Sequence, residues 1–387
     1  MRPPTIHVSF PRPSLPVEVA ALRHEIRELL EEERRAGTWQ PGGKSWGEYN
    51  PALTRKIAER GWIGLTWPKR YGGKERTQLE RYVVTEELLA AGAPAGAHWV
   101  ADRQSGPLLL RFGTEEQRLR FLPPITRGEI YFCIGMSEPD SGSDLASIRS
   151  RAVKVDGGWR LSGTKIWTSW AHHCHYMITL CRTEPPSADR HAGMSQLIVD
   201  LHAQGVSIRP IRNLTGEHEF NEIVFDETFV ADEDVVGEPG GGWHQVTSEL
   251  AYERSGPERF LTNFHLLRRL VDGLGQSDRA ASEHGLRELG RLAGEVWALR
   301  AMSLSVAGAL ERGETPAVEA ALVKDLGTHF QQELPDAGRR LVDQEGIAEE
   351  ALRDELARAT QLARAYTIQG GTTEILRGII ARGLKLR

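Results

Sequence analysis

Hydrophobic and polar positions divide the chain into three stretches of different periodicity. In residues 17–128, apolar residues recur at intervals of three and four, which is typical of amphipathic helices. Leu22 and Ile26 share the apolar face of the first predicted helix. Thr114 precedes another, and Gln117 three residues later completes the pattern of a capping box. This first stretch is therefore predicted to be mainly helical.

The second stretch, about residues 130–236, reads as short strands and turns. The run RAVKVDGGWRLSG alternates apolar and polar residues around an Asp-Gly-Gly turn, which predicts a hairpin. Further short β-rich runs follow, separated by polar residues, glycine or proline: YMITLCRT, SQLIVDL, GVSIRPI and EIVFDETFV. Regular short strands favour a barrel or sandwich over a parallel sheet.

The helical period returns after GEPGGGW and continues to the end of the sequence. Long helices with short connections are typical of an antiparallel bundle. We therefore predict an α+β protein with four parts, which are a proline-rich, flexible or extended arm (1–16), an α-helical domain (17–129), a β-barrel domain (130–240) and a C-terminal helical bundle domain (241–387).

Composition excludes several classes of function. The 387 residues carry a formal net charge of -5, and no basic stripe is visible, so we expect no nucleic-acid partner. Three cysteines are too few for a disulfide framework and indicate a reducing compartment. No apolar run approaches the ~20 residues that span a bilayer, and the N-terminus lacks the apolar core of a signal peptide. We expect a soluble, cytoplasmic protein.

Nucleotide-binding motifs are weak. No strand followed by GxGxxG and a helix is present, which argues against a Rossmann site. GEPGGGW could hold a phosphate at a helix N-terminus. We interpret it instead as a turn between domains.

Four blocks, in order and spacing, resemble the acyl-CoA dehydrogenase family. They are GWIGLTWPKRYGG (61–73), MSEPDSGSD (136–144), GTKIWTS (163–169) and QGGTTEILR (369–377). The resemblance extends over nearly the whole chain from about Glu18. It implies the family's fold, with an N-terminal helical domain, a middle β-barrel domain and a C-terminal four-helix bundle.

The resemblance also implies a function in lipid and fatty acid metabolism. Members of the family bind FAD noncovalently and oxidise an acyl-CoA thioester to its 2,3-enoyl form. A carboxylate removes the α-proton, the β-hydride goes to the flavin, and the electrons leave to an electron-transfer flavoprotein.

Several positions match the family's ligand-binding residues. Those that match flavin-binding positions are Ile134, Met136, Ser137, Trp167 and Ser169. Ser143 matches a serine that contacts ligand near the pyrophosphate or the thioester. Trp170 stands where asparagine is common, so the local shape should differ from that of other members.

The usual catalytic glutamate is missing, because the position before the Gly-Thr pair is Gly370. A branch that includes isovaleryl- and long-chain acyl-CoA dehydrogenases has glycine there and carries the glutamate on the first helix of the C-terminal bundle. In that register the base is Glu253, with Glu249 and Glu258 as competitors. Arg254 then matches an arginine associated with the CoA moiety or with the structure of the site.

Two segments need separate interpretation. AHHCH (171–175) contains metal-ligating residue types, but a zinc site needs a second pair of ligands. Treating it as a strand, with His173 and His175 on one face, we interpret it as a polar segment near the acyl or CoA entrance and predict no metal. The segments that hold the FAD adenosine half in the family are not matched, and Arg279 and Gln344 are at most remnants of them.

The family resemblance leaves the assembly and part of the chemistry open. We expect a homotetramer, with a heterotetramer as the alternative. A non-catalytic or co-catalytic subunit of such a heterotetramer is an alternative function, as is other flavin chemistry in a desulfinase or oxidase. The acyl chain is not predicted.

Overall fold

The computed structural model describes residues 8–41, 45–185, 187–275 and 281–386, excluding the side chains of Ser45 and of residues 249–253. These residues form two compact units. The helical unit comprises Met1–Glu48, Arg76–Pro94 and Ala251–Arg387. The sheet unit comprises Tyr49–Glu75 and Ala95–Leu250. Each unit therefore draws on separate parts of the sequence, and the four-part division made from the sequence stays a prediction.

The helical unit begins with two helices that pack against each other, α1 (Val19–Arg35) and α3 (Gln78–Ala91). The apolar face predicted for α1 is confirmed, since Leu22 and Ile26 are both buried. A capping box between Thr77 and Glu80 starts α3. Of the N-terminal arm, the described residues 8–16 form no regular helix or strand, although Phe10 packs beside a buried helical cluster.

The described part of the helical unit contains six further helices: α8 (Glu258–Leu261), α9 (Phe264–Gly275), α10 (Glu283–Glu311), α11 (Ala317–Glu345), α12 (Glu350–Ala363) and α13 (Thr373–Gly383). The central helix is α11, which contacts each of the other five. The helical pattern of the sequence continues without a break through ERFLTNFHLLRRLVDGL, but in the structure this run forms two helices, α8 and α9. Thr262 and Asn263, both weak helix formers, lie at the break.

In the sheet unit, four helices precede the strands: α2 (Pro51–Glu59), α4 (Gly96–Val100), α5 (Gly106–Phe112) and α6 (Glu115–Thr126). A π-helical turn (Ala101–Ser105) joins α4 to α5. The capping box predicted for Thr114 and Gln117 is confirmed at the start of α6. A last helix, α7 (Gly242–Glu253), follows the strands and runs on into the sequence of the helical unit.

Among the described residues, eight strands form one sheet: β1 (Phe132–Gly135), β2 (Arg151–Val155), β3 (Gly158–Ser169), β4 (Tyr176–Arg182), β5 (Met194–Asp200), β6 (Val206–Arg212), β7 (His218–Ala231) and β8 (Val235–Val236). Their order is β6-β7-β3-β2-β4-β5-β8, and β1 pairs with β4. Most pairs are antiparallel, and the predicted hairpin is β2–β3. Buried side chains such as Leu161, Met177 and Ile223 form a hydrophobic core of the sheet unit.

No helix in the described part of the chain is both long and apolar enough to cross a membrane.

Candidate active site

The first of the two blocks that match flavin-binding positions, MSEPDSGSD (136–144), begins directly after β1, where the chain leaves the sheet. Ile134 pairs with Ile178 of the neighbouring strand β4, and this pairing fixes the start of the block. Ile134, Met136 and Ser137 are each partly exposed. None of the described residues hydrogen-bonds the Ser137 hydroxyl, so that hydroxyl can serve a ligand.

A buried lysine joins this block to the second one on β3. The Lys165 ammonium donates to the Met136 carbonyl oxygen at 3.0 Å and to the Glu138 carboxylate at 2.8 Å. The backbone N–H of Ile166 donates to the Ser137 carbonyl at 2.9 Å. The two blocks identified from the sequence are therefore brought together by direct bonds.

Burial and the ion pair have opposite effects on the pKa values of Glu138 and Lys165. Burial opposes ionisation of Glu138, but Lys165 and the hydrogen bonds donated to the carboxylate lower its pKa overall. Among these donors are the backbone N–H groups of Arg149, at 2.6 Å, and Ser150, at 2.9 Å. Burial lowers the pKa of Lys165, and Glu138 offsets part of that effect. Neither side chain was predicted from the sequence as part of the site, although Glu138 lies in the block MSEPDSGSD and Lys165 in the block GTKIWTS.

Trp167 is presented to solvent by an irregularity in β3. Its backbone has φ of 62°, a left-handed conformation that is uncommon for any residue other than glycine. The indole is 56% exposed and packs edge-on against Phe220 at a centroid distance of 5.8 Å. Ser169, two residues later, is partly exposed. An exposed tryptophan on a strand offers an aromatic surface to a planar ligand.

Ser143 lies in the loop after the first block. It is exposed, between the turn at Glu138–Ser141 and a 3-10 turn at Leu145–Ser147. Its predicted contact with the substrate stays a prediction.

The candidate base lies at the end of α7. Glu253 is the last residue of this helix, but the side chains of Glu253 and of its competitor Glu249 lie outside the described residues. Glu258, the other competitor, is 4% exposed, and its backbone carbonyl accepts a hydrogen bond from the Gln331 amide at 3.0 Å.

Arg254 follows Glu253 directly in the sequence. It lies close to the segment in which Gly370 replaces the usual catalytic glutamate. Arg254 is buried, and a Cβ built on Gly371 would lie 3.5 Å from its Nη2. Gly370 and Gly371 both adopt left-handed backbone conformations, with φ of 69° and 99°. Within the helical unit, the Gly370–Gly371 turn therefore lies beside the residue that follows Glu253.

The histidine-rich segment differs from the prediction. Residues Ala171–His173 form a 3-10 turn and not a strand, so the alternation assumed for this segment is wrong. The ring of His172 stacks on His218 of β7 at 3.8 Å, a contact that the sequence did not indicate. In the described part of the chain, no group of three His, Cys, Asp or Glu side chains could hold a metal ion.

Of the two adenosine-segment remnants, Arg279 lies outside the described residues. Gln344 is exposed near the C-terminal end of α11.

Comparison with known proteins identifies the fold and the family together. The family models named acyl-CoA dehydrogenase N-terminal, middle and C-terminal domain match residues 17–129, 133–228 and 240–385. The chain belongs to the acyl-CoA dehydrogenase family. It is therefore an oxidoreductase, as the sequence predicted.

Among relatives in this family, acyl-CoA dehydrogenase IpdE1 of Mycobacterium tuberculosis is 37% identical over 341 residues, which is 86% of this chain and 87% of that protein. IpdE1 of Mycolicibacterium smegmatis is 33% identical over 403 residues, covering 94% and 97%. FadE34 of M. tuberculosis is 33% identical over 368 residues, covering 95% of this chain but only 48% of that longer protein.

Two solved structures are closely similar in fold to this chain. The Tcur3481-Tcur3483 steroid ACAD has a TM-score of 0.83 at 30% identity, covering 96% of this chain and 98% of that one. The ChsE4-ChsE5 complex from M. tuberculosis has a TM-score of 0.83 at 28% identity, covering 97% and 99%.

Proposed function

We propose that this protein is an FAD-dependent acyl-CoA dehydrogenase that converts an acyl-CoA thioester into its 2,3-enoyl-CoA. The observation that carries the proposal is that hydrogen bonds join the two blocks that match flavin-binding positions, residues 136–144 and 163–169. Lys165 and the Ile166 N–H hold the 136–138 segment against the strand that presents Trp167. Membership of the family supplies the reaction class.

The residues of this surface fit a flavin. Trp167 offers an exposed aromatic face, and Ser137 and Ser169 offer hydroxyl groups at partly exposed positions. Donors of this kind stabilise negative charge on a reduced flavin ring. When bound, FAD would accept the hydride from the β-carbon of the acyl group. The protein's own residues bind and orient the ring and keep its surroundings rigid.

Glu253 is proposed as the general base that takes the α-proton. The register of α7 supports this assignment, and so does the Gly370–Gly371 turn beside Arg254, because glycine at 370 leaves the usual carboxylate position without a side chain. A base must reach the α-carbon with a pKa suited to proton abstraction. Arg254, buried next to it, is proposed to orient the site or to contact CoA.

The substrate is proposed to be the CoA thioester of a bulky, steroid-derived acid. Support comes from similarity to the Tcur3481-Tcur3483 steroid ACAD over nearly the full length of both chains. An electron-transfer flavoprotein is proposed as the acceptor of the electrons, as the family resemblance implies.

For assembly, we propose a heterotetramer with a second acyl-CoA dehydrogenase chain, in place of the homotetramer first expected from the sequence. Both structural relatives described above carry the names of two proteins. On α10, Leu286 is 59% and Trp297 73% exposed on one helix face. A Cβ at Gly290 or Gly294 on that face would meet nothing within 4 Å. Such a face is suited to another helix.

The test is an anaerobic titration of the protein, alone and co-expressed with a candidate partner chain, first with FAD and then with acyl-CoA substrates. We expect the visible flavin band to bleach with a steroid side-chain acyl-CoA and to respond less to a straight-chain acyl-CoA. A flavin-loaded complex that no acyl-CoA bleaches would overturn the proposed reaction, and preferential bleaching by the straight-chain substrate would overturn the substrate class.

A further inference from the structure

The left-handed Trp167 belongs to a β-bulge whose neighbours are tightly bonded. On β3, Lys165 pairs with Ile223 of β7, and Thr168 pairs with Asn221. Two residues of β3 therefore lie opposite a single residue of β7. A bulge of this kind disrupts the hydrogen-bond ladder and re-aims a side chain. A strained backbone persists only where its surroundings determine it.

Asn221 supplies the bonds at this bulge. Its side chain is fully buried. Nδ2 donates to the Thr168 carbonyl oxygen at 3.0 Å. Because a carbonyl oxygen only accepts, the amide nitrogen must face Thr168, and the amide oxygen Oδ1 must face the opposite way.

Two histidines meet that amide oxygen. His172 Nδ1 lies 3.1 Å from Oδ1, and His218 Nε2 lies 2.7 Å from it. Since Oδ1 only accepts, both ring nitrogens must carry hydrogen. The geometry therefore assigns His172 as the Nδ1–H tautomer and His218 as the Nε2–H tautomer when both are neutral.

The imidazoles are held by stacking. His172 stacks on His218 at 3.8 Å and contacts His173 at 4.1 Å, and Tyr49 stacks on His173 at 4.3 Å. Burial, with help from the neighbouring imidazoles, lowers the pKa of His172 to about 4, so this ring is neutral near pH 7. The stack therefore presents a fixed hydrogen-bond donor to Asn221.

We propose that Asn221 is a positioning residue that holds the Trp167 bulge in its ligand-facing conformation, and that His172 and His218 orient its amide. This inference rests on the proposed function, because only there is the bulge assigned to a flavin. Asn221 itself is not proposed to touch the cofactor. It fixes the backbone from which Trp167 and Ser169 project.

The first experiment compares Asn221→Ala and Asn221→Asp with a matched control, Thr228→Val. Thr228 is also fully buried on β7, but it pairs with Leu161, next to a separate register shift and away from the Trp167 bulge. We expect both Asn221 variants to weaken FAD binding about tenfold and to shift the flavin midpoint potential, while Thr228→Val changes neither. Folded Asn221 variants with wild-type affinity and potential overturn the inference.

The second experiment uses the assigned tautomers. The amide nitrogen of asparagine occupies roughly the place of imidazole Nδ1, and that of glutamine the place of Nε2. We therefore expect His172→Asn to retain flavin affinity and potential while His172→Gln loses them. For His218 the order reverses, with His218→Gln retained and His218→Asn impaired. Equal behaviour within each pair contradicts the proposed orientation of the amide.

Nitrogen-15 NMR of histidine-labelled protein without FAD tests the hydrogen bonds from His172 and His218 to Asn221 separately from the proposed function. The expected signals are Nδ1–H for His172 and Nε2–H for His218, both altered in Asn221→Ala. Other tautomers in the wild type overturn the proposal that these two histidines orient the Asn221 amide. A wild-type complex that shows these tautomers but binds no FAD overturns the proposed function, and with it the assignment of the bulge to a flavin.

Discussion

Lys165 and Glu138 form a buried ion pair, with 2.8 Å between the ammonium nitrogen and the nearer carboxylate oxygen. The lysine side chain is 0% exposed and that of the glutamate 8%. The pair joins the loop after β1 to β3, and Lys165 also holds the Met136 carbonyl. A buried ion pair is costly to form, but breaking it leaves an uncompensated charge in the interior.

Lys165→Met should therefore strongly destabilise the protein. Loss of one partner of a buried pair costs about 3–5 kcal/mol of the free energy of unfolding. Urea denaturation followed by circular dichroism measures this loss. The double variant Lys165→Met/Glu138→Gln should recover most of it, because no unpaired charge is then buried.

The matched control for this prediction is Lys154→Met. Lys154 bonds Asp232 in an ion pair whose side chains are about half exposed. Exposed pairs contribute about 0–1 kcal/mol. Equal destabilisation by the two lysine variants would contradict the importance assigned to the buried pair.

A second prediction concerns pH and His98. This histidine is buried beside the Thr54 hydroxyl, 2.9 Å from Nδ1, and burial lowers its pKa from 6.5 to about 4. Between these values the unfolded chain binds a proton that the folded protein does not. Stability from this group is thus complete above pH 6.5 and falls as the pH is lowered towards 4. At about pH 5 the loss is on the order of 2 kcal/mol.

His98→Asn tests this coupling, because asparagine can still bond Thr54 but does not titrate. Unfolding free energies of wild type and variant are measured at about pH 7.5 and about pH 5. The wild type should lose about 2 kcal/mol more than the variant over this interval. Parallel pH dependence would show that His98 is not the group responsible.

Local sequence patterns predicted most of the regular elements. The α1 face, the capping box at Thr114 and the β2–β3 hairpin depend on neighbouring residues only, and the structure confirms them. The break between α8 and α9 was missed because an apolar helical pattern continues through it. Thr262 instead bonds the Glu258 carbonyl at 2.6 Å, an interaction that periodicity does not reveal.

The candidate site was predictable only where a motif carries it. Ser137 and Trp167 lie inside recognisable blocks, and the structure brings these blocks together. The contact of Asn221 with His172 depends on the register of β3 and β7 and on a bulge. No spacing rule places residues 49 positions apart side by side. Side-chain contacts that depend on sheet register therefore could not be predicted from the sequence.

A third prediction concerns assembly through α10. Trp297→Glu places a charge on the exposed apolar face that includes Leu286 and Gly294. If this face packs against a second acyl-CoA dehydrogenase chain, the buried charge should weaken association by several kcal/mol. Light scattering of the co-expressed complex should show smaller species. Leu214→Glu, at an equally exposed position in the β6–β7 turn, is the control and should leave the assembly intact.

The last prediction is that Glu253→Gln abolishes dehydrogenation while FAD stays bound. Glutamine keeps the size of the side chain but cannot take the α-proton, and loss of a general base costs about 10²–10⁴-fold in rate. Stopped-flow bleaching of the flavin by acyl-CoA isolates this step from electron export. In the control Glu249→Gln, on the same helix, the flavin should bleach at the wild-type rate.

Adding Gly370→Glu to Glu253→Gln tests whether a carboxylate at the turn beside Arg254 restores activity, although a side chain there must adopt a left-handed φ of 69°. Equal bleaching rates for wild type and Glu253→Gln would remove Glu253 from the mechanism, and a slow Glu249→Gln would transfer the role to Glu249.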